Sequence, residues 1–209
     1  MKLYFSPGAC SFAPHVLLNE LHIPFELVRV DNKSKRTADG EDFLAINPKG
    51  YVPAVKLDTG KVLTEGVAVL QYLADQHPEA GLVPKLGTME RYELMEMMNF
   101  LTTELHKGFS PLFGIDKYVQ NPEGQTQLKE AVKANLAKRF NYLNDLLARH
   151  IYLMGPRMTI ADIYAVTILR WAAWVGIDLS HWPALQAFVA RMQDRPSVQA
   201  AIKSEGLKG

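Results

Sequence analysis

The sequence has a single cysteine, Cys10, among its 209 residues. One cysteine excludes an internal disulfide and a Cys-x-x-Cys redox pair. No apolar run approaches the roughly 20 residues that cross a bilayer. The N-terminal stretch is interrupted early by Pro7 and Gly8, which is unlike a secretory signal. Together these absences predict a cytoplasmic protein in a reducing compartment.

An excess of charge is missing as well. Lys and Arg total 23 and Asp and Glu total 22, for a net charge of +1, so no strong field attracts nucleic acid or an anionic membrane. The six histidines are scattered without the spacing of a metal site, and neither a Walker A nor a GxGxxG pattern is present. The sequence therefore predicts no metal, no nucleotide cofactor, no nucleic-acid partner and no membrane partner.

The first eighty residues alternate short strand and helix patterns in the order β-α-β-α-β-β-α. The predicted strands are Lys2–Ser6, Phe25–Val30, Val52–Leu57 and Val62–Thr64. The predicted helices are Ala13–Leu21, Asp42–Ile46 and Gly66–Gln76, with a polar loop at Asp31–Gly40. This order predicts an α/β layer of the thioredoxin kind over residues 1–80, with a parallel strand pair first and an antiparallel hairpin at the edge.

The stretch Pro78–Gly87 has the composition of a linker, and everything beyond it is predicted to be helical. The predicted helices are Thr88–Phe113, Pro122–Arg149, Ile160–Val175, Pro183–Asp194 and Ser197–Lys203. Thr159 and Asp162 have the spacing of a capping box. We therefore predict two domains, residues 1–80 and an all-helical domain over residues 87–209.

Several local motifs, taken in order, resemble those of the cytosolic glutathione transferases of the bacterial beta class. The motifs are Pro7–Ser11, Asn47–Pro53, Leu63–Gly66, Glu104–Phe113 and Thr159–Asp162. The resemblance runs from end to end of the chain. It implies a homodimer that uses glutathione as cosubstrate. Residues 1–80 would bind glutathione, and residues 87–209 would carry the second-substrate pocket and the dimer interface.

Cys10 is the first candidate catalytic residue. It follows a predicted strand and precedes a predicted helix, whose free N–H groups and dipole favour a nearby thiolate. The alternative is a buried, inert cysteine. The resemblance implies that Cys10 faces the glutathione sulfur and can form a mixed disulfide with it. Ser11 is expected either to donate its hydroxyl at the site or to cap the helix.

The resemblance assigns five further residues of the first domain to glutathione binding. Val52 and Pro53 are expected to form a cis peptide bond that presents the Val52 backbone to glutathione, the alternative being a trans proline in an edge strand. Glu65 and the Gly66 amide would bind the γ-glutamyl ammonium and carboxylate. Lys35 would bind the glycyl carboxylate.

In the helical domain the resemblance singles out His106. His106 and Lys107 are expected near the thiol, where a cation stabilises a thiolate. Asn99, Thr103 and His106 share one face of the predicted helix. The other histidines are interpreted as structural. The resemblance assigns to glutathione binding, partly across the dimer interface, Asn99, Thr103, Glu104, Leu105 and His106.

Five apolar or aromatic residues are candidates for a second-substrate pocket, although such spacing also fits core packing: Phe109, Phe113, Tyr164, Ile168 and Trp171. The resemblance implies conjugation of the glutathione thiolate to small hydrophobic electrophiles, with thiol-transferase or peroxidase activity through Cys10. The alternatives are a glutathione-dependent thiol–disulfide oxidoreductase or reductive dehalogenase, a non-enzymatic assembly module of the same fold, and a protein that only sequesters hydrophobic ligands.

Overall fold

The computed structural model of the chain describes residues 1–207 and contains two compact units. The first unit combines Met1–Val83 with residues 192–207, and the second is Pro84–Arg191. We had assigned all residues from 87 to 209 to the helical domain. In the structure the C-terminal stretch packs instead with the first unit, and residues 208 and 209 lie outside the described residues.

A mixed sheet of five strands, in the order β3-β2-β1-β4-β5, organises the first unit. The strands are β1 Lys2–Phe5, β2 Glu26–Asp31, β3 Arg36–Thr37, β4 Ala54–Lys56 and β5 Val62–Thr64. β1 is parallel to β2, and β4 and β5 form an antiparallel hairpin, as the sequence predicted. The sequence analysis missed β3, because this two-residue edge strand lies inside the polar stretch that was interpreted as a loop.

Four α-helices complete the first unit: α1 Phe12–Glu20, α2 Phe43–Ile46, α3 Gly66–Asp75 and α10 Pro196–Ser204. Pro14 lies in the first turn of α1, where its missing N–H breaks no helical hydrogen bond. α10 packs against α1, and the Asn19 side chain donates to the Ser197 carbonyl oxygen at 3.2 Å. Val198 and Ile202 form an apolar face of α10, and both are buried where this helix packs against the first unit.

The second unit contains the remaining helices: α4 Met89–Phe100, α5 Lys107–Phe109, α6 Pro122–Leu147, α7 Ile160–Leu169, α8 Trp171–Trp174 and α9 Pro183–Gln193. Every residue of α7 is buried, which makes it the centre of this unit. The predicted capping box at the start of α7 is present. Within residues 1–207, no helix combines the length and the apolarity needed to cross a membrane.

The predicted long helix over residues 88–113 changes its winding after Phe100. A π-helix spans Leu101–His106, and a 3-10 helix follows α5 at Ser110–Phe113. The wider turn places Leu101 and Leu105 in the core. It also overturns the expectation that Asn99, Thr103 and His106 share one face, since Asn99 and Thr103 are exposed and His106 is largely buried. π-helical turns occur preferentially at functional sites.

Candidate functional site

Cys10 lies in the turn between β1 and α1, where it is half-buried. Its Sγ lies 3.2 Å from the Val52 carbonyl oxygen, to which the thiol donates. The Val52–Pro53 peptide bond is cis, as the resemblance led us to expect. The turn therefore holds the thiol beside the backbone of the cis-proline segment and close to the positive end of α1.

The Ser11 hydroxyl fixes the shape of this turn. Its Oγ accepts from the Ser6 N–H at 3.2 Å and donates to the Ser6 carbonyl oxygen at 3.3 Å. Ser11 is fully buried and makes no side-chain capping bond to α1. The expectation that it caps the helix was therefore wrong, because its hydroxyl already bonds the end of β1.

Glu205, which the sequence analysis did not select, also holds the turn. One carboxyl oxygen accepts from the Gly8 N–H at 2.7 Å, and the other lies 2.8 Å from His15 Nδ1. All of these groups are buried. No local sequence signal identifies such a residue, since 190 and 197 positions separate Glu205 from its two partners.

Lys35 and Glu65 adopt unusual backbone conformations, with φ values of +57° and +69°. Non-glycine residues seldom adopt positive φ, and those that do concentrate at functional sites. Lys35 Nζ donates to the Gly50 carbonyl oxygen at 2.8 Å and lies 5.4 Å from the centre of the Tyr51 ring. Glu65 Oε1 lies 2.5 Å from Lys49 Nζ. Both side chains therefore reach the loop that precedes the cis-proline.

The structure thus brings three predicted residues to one short segment, residues 49–53. Cys10 bonds the Val52 carbonyl, Lys35 bonds the Gly50 carbonyl, and Glu65 pairs with Lys49. Gly66 adjoins this group as the first residue of α3, and the side chain of Glu65, the residue before it, makes no capping hydrogen bond to the helix. The segment is surrounded by a thiol, two cations, a carboxylate and uncapped amides, which can recognise a small peptide with charges of both signs.

His106 lies at the end of the π-helix and contacts two aromatic residues of the helical unit. Its Nδ1 is 2.6 Å from the Tyr164 hydroxyl, and its ring is 4.9 Å from the Trp171 ring. Burial, assisted by the positive charge of Lys107, lowers the pKa of His106 to about 4. The imidazole is therefore neutral at physiological pH. Among His106, Tyr164, Trp171 and Lys107, only the exposed Lys107 carries a positive charge at physiological pH.

The other predicted binding residues of this stretch have differing environments. Glu104 is exposed and pairs with Arg139, the closest atoms being 2.5 Å apart. The Thr103 hydroxyl donates to the Asn99 carbonyl oxygen at 2.9 Å. Leu105 is fully buried, so its side chain belongs to the core and only its backbone remains for contact with a ligand.

Three of the predicted second-substrate residues form an aromatic cluster centred on Trp171. The Phe109 and Phe113 rings stack 6.3 Å apart, and both meet the Trp171 ring edge-on, at 5.8 and 5.4 Å. Phe113 is half-exposed, with 51% of its surface accessible. Phe109 and Trp171 are buried, as are the other two predicted residues, Tyr164 and Ile168, so Phe113 is the one of the five that a ligand reaches most readily.

The lowered pKa of His106 predicts a pH-dependent contribution to stability. Since the folded pKa is about 4 and the ordinary value is 6.5, the unfolded chain takes up this proton first as the pH falls. The contribution is complete above pH 6.5 and disappears between pH 6.5 and 4, a loss of about 3 kcal/mol. Urea unfolding of the wild type and His106→Gln at pH 7 and pH 4 measures it.

We expect the stability difference between these two proteins to shrink by about 2–3 kcal/mol at pH 4. Replacing the exposed His150 by Gln serves as the matched control for loss of an imidazole. A wild-type-to-variant difference that stays constant between the two pH values would show that His106 is not held neutral by its surroundings.

Comparisons with known proteins identify two family domains in the chain. The profile of the glutathione S-transferase N-terminal domain matches residues 8–76, and that of the C-terminal domain matches residues 100–196. The chain is 46% identical to the glutathione S-transferase GstA of Escherichia coli O157:H7 over 208 residues, covering all of both proteins.

Two solved structures extend the comparison. The beta-class glutathione S-transferase of Sphingomonas chungbukensis is 44% identical, with a TM-score of 0.92 and complete coverage of both chains. A sphingomonad glutathione S-transferase complexed with glutathione is also 44% identical, with a TM-score of 0.91 and complete coverage of both chains. With both family domains in order and full-length relatives at these identities, the chain belongs to the glutathione S-transferase family, among bacterial beta-class neighbours.

Proposed function

We propose that this transferase conjugates the thiolate of glutathione to small hydrophobic electrophiles. We also propose that it uses Cys10 to reduce disulfides at the expense of glutathione. The observation that carries the proposal is the convergence of Cys10, Lys35 and Glu65 on residues 49–53. A similar protein, the sphingomonad enzyme, has been solved with glutathione bound.

In the proposed complex the Val52 backbone pairs with the cysteinyl unit of glutathione, next to the Cys10 thiol. Lys35 binds the glycyl carboxylate, Glu65 binds the γ-glutamyl ammonium, and the Gly66 amide at the start of α3 binds the γ-glutamyl carboxylate. The ion pair between Glu65 and Lys49 supports this assignment, because the Glu65 carboxylate already pairs with an ammonium group.

Conjugation requires the glutathione thiol, with a free pKa of about 8.5, to be deprotonated near neutral pH. We propose that His106 and Lys107 stabilise the thiolate, His106 as a hydrogen-bond donor and Lys107 by its charge. The thiolate then attacks an electrophilic carbon, forms a C–S bond and displaces halide or adds to an activated double bond. The cluster of Phe109, Phe113 and Trp171 supplies apolar surface for the electrophile.

Reduction uses Cys10 as a second nucleophile. A glutathione thiolate cleaves the substrate disulfide and leaves one substrate thiol and a glutathionyl mixed disulfide. The Cys10 thiolate attacks the glutathionyl sulfur and releases the second substrate thiol. A further glutathione thiolate then attacks the Cys10 mixed disulfide, which yields oxidised glutathione and regenerates Cys10. The sum converts one disulfide and two glutathione molecules into two thiols and oxidised glutathione.

We further propose that the enzyme acts as a homodimer in the cytoplasm. Three large apolar side chains on one side of α4 are exposed, Met89, Tyr92 and Met95, and their spacing of three residues forms a stripe typical of an interface. Sedimentation analysis measures the oligomeric state directly. A monomer at micromolar concentration would contradict this part of the proposal.

Cys10→Ala and Cys10→Ser are compared with wild type in two assays, conjugation to 1-chloro-2,4-dinitrobenzene and glutathione-dependent reduction of hydroxyethyl disulfide. Cys10→Ser is the matched control, since its hydroxyl retains a donor for the Val52 carbonyl. We expect both variants to keep conjugation within about threefold and to lose about 100-fold in reduction, because the nucleophile is gone.

Full reduction by Cys10→Ser would overturn the role of Cys10. A wild-type protein that neither binds glutathione in calorimetry nor turns over either substrate would overturn the transferase proposal itself, in favour of a non-enzymatic assembly module.

A further inference from the structure

The hydrogen bond between His106 and Tyr164 joins the π-helix to α7 within the helical unit. Nδ1 of His106 lies 2.6 Å from the Tyr164 hydroxyl, a short distance for a neutral donor and acceptor. Tyr164 is itself 98% buried, since its exposed fraction is 2%. Within residues 1–207 this is the one hydrogen bond that the imidazole makes, so Nε2 remains available.

Aromatic packing fixes the orientation of the imidazole. The Tyr164 ring lies 6.0 Å away at 69°, and the Trp171 ring lies 4.9 Å away at 63°. Trp171 is held in turn by edge-on contacts with Phe109 and Phe113. A half-turn of the imidazole would put Cδ2 in the place of Nδ1 beside the Tyr164 hydroxyl and so break the hydrogen bond. The ring therefore keeps Nδ1 toward Tyr164.

A neutral imidazole carries one proton, on either Nδ1 or Nε2, and the partner of one nitrogen decides the state of the other. Because the pKa of His106 is low, the ring is neutral at physiological pH, and the position of its single proton then determines what Nε2 can do. If the Tyr164 hydroxyl donates to Nδ1, the proton must lie on Nε2. Only that tautomer offers a donor to a thiolate, whereas the other would present a lone pair to it.

We propose that Tyr164 is a positioning residue: its hydroxyl donates to His106 Nδ1 and so fixes the Nε2–H tautomer, whose N–H donates to the sulfur of bound glutathione. This inference rests on the proposed function. The thiol proton of glutathione leaves to solvent, and the Nε2 proton stays on the imidazole throughout. Tyr164, interpreted from the sequence as a wall of the substrate pocket, thereby acts on the thiolate through His106.

The tautomer is measured first, by long-range ¹H–¹⁵N correlation spectroscopy on protein labelled at histidine, with His106→Gln to assign the signals. In the wild type we expect His106 Nδ1 to resonate as an unprotonated nitrogen and Nε2 as a protonated one. A protonated Nδ1 would overturn the proposal without any need for the Tyr164 variant to fold.

Tyr164→Phe removes the hydroxyl and keeps the ring, and Tyr152→Phe is the control for loss of a hydroxyl in the same unit. We expect Tyr164→Phe to show a mixture of tautomers and a higher thiol pKa of bound glutathione, read from the thiolate absorbance. Its kcat for conjugation should fall about tenfold, while KM for glutathione changes less than about twofold. Tyr152→Phe should match the wild type.

The two proposals fail in different ways. An unchanged tautomer and an unchanged thiol pKa in Tyr164→Phe, with glutathione still bound, would overturn the positioning role and leave the transferase proposal intact. If the wild type binds no glutathione, the proposed function fails together with the contact to sulfur. The spectrum of the free protein still decides the tautomer in that case.

Discussion

Replacing Asp162 with alanine is expected to lower the free energy of unfolding by about 3–5 kcal/mol at pH 7, because it leaves buried donors without an acceptor. The carboxylate accepts from the Leu153 N–H and the Thr159 N–H, both at 2.8 Å, and from the Thr159 hydroxyl at 3.1 Å. Asp162 is fully buried in the first turn of α7. Its loss therefore uncaps the central helix and detaches the loop before it.

Asp178→Ala is the matched control. Asp178 also accepts from nearby groups, the Ser180 N–H at 2.9 Å and the Ser180 hydroxyl at 2.7 Å, but it is exposed. Water can replace these bonds, so we expect a loss below about 1 kcal/mol. Urea unfolding followed by circular dichroism compares the two. If Asp162→Ala and Asp178→Ala lower the free energy of unfolding equally, burial of the carboxylate does not determine how much stability is lost.

The effect of Asp162→Ala should also depend on pH. Burial raises the pKa of Asp162 from 3.8 to about 6, so the folded protein binds this proton more tightly than the unfolded chain. The ionised carboxylate costs stability above pH 6, and the cost disappears as the pH falls toward 3.8. We therefore expect the alanine penalty to be about 2–3 kcal/mol larger at pH 4 than at pH 7.

The second large effect is expected at Glu205. Glu205→Ala should lower the free energy of unfolding by about 3–5 kcal/mol, since it removes a buried carboxylate that bonds both His15 and the Gly8 N–H. Because Gly8 lies two residues before Cys10, the variant should also loosen the turn that holds the thiol beside Val52. Its disulfide reductase activity, measured on protein that is still folded, should fall about tenfold.

Glu205→Gln tests the same contact more gently, because its amide oxygen can still accept from Gly8, and we expect about half the loss of the alanine variant. Glu79→Ala is the matched control, since Glu79 pairs with His77 at 3.2 Å on the surface of the same unit. That pair should contribute less than about 1 kcal/mol. If Glu205→Ala is destabilised but keeps its reductase activity, Glu205 stabilises the fold without being needed for the geometry of the Cys10 turn.

Local patterns in the sequence were sufficient to predict most of the fold. Pro14 and the spacing of Thr159 and Asp162 indicate where two helices start, and in the structure these helices start close to the predicted positions. Turn residues and strand patterns likewise predicted the parallel pair and the closing hairpin. These elements are specified by residues within a few positions of one another, which is why one sequence suffices.

The features that the sequence did not reveal depend on distant contacts. Glu205 shows no local pattern, and its role follows only from its contacts with Gly8 and His15. The π-helix arises in a stretch whose apolar spacing also fits an ordinary α-helix, and its wider winding decides which side chains are buried. The charge state of His106 likewise depends on burial by residues from α7 and α8.

The division of the first unit between the two ends of the chain has a consequence for its synthesis on the ribosome. Residues 84–191 form a contiguous unit and can fold as soon as they emerge. The turn that carries Cys10 is made before the second unit, yet its partner Glu205 is made nearly 200 residues later. In a nascent chain the turn therefore stays incomplete while those residues are added, and Cys10 acquires its final surroundings only after the whole second unit has been made.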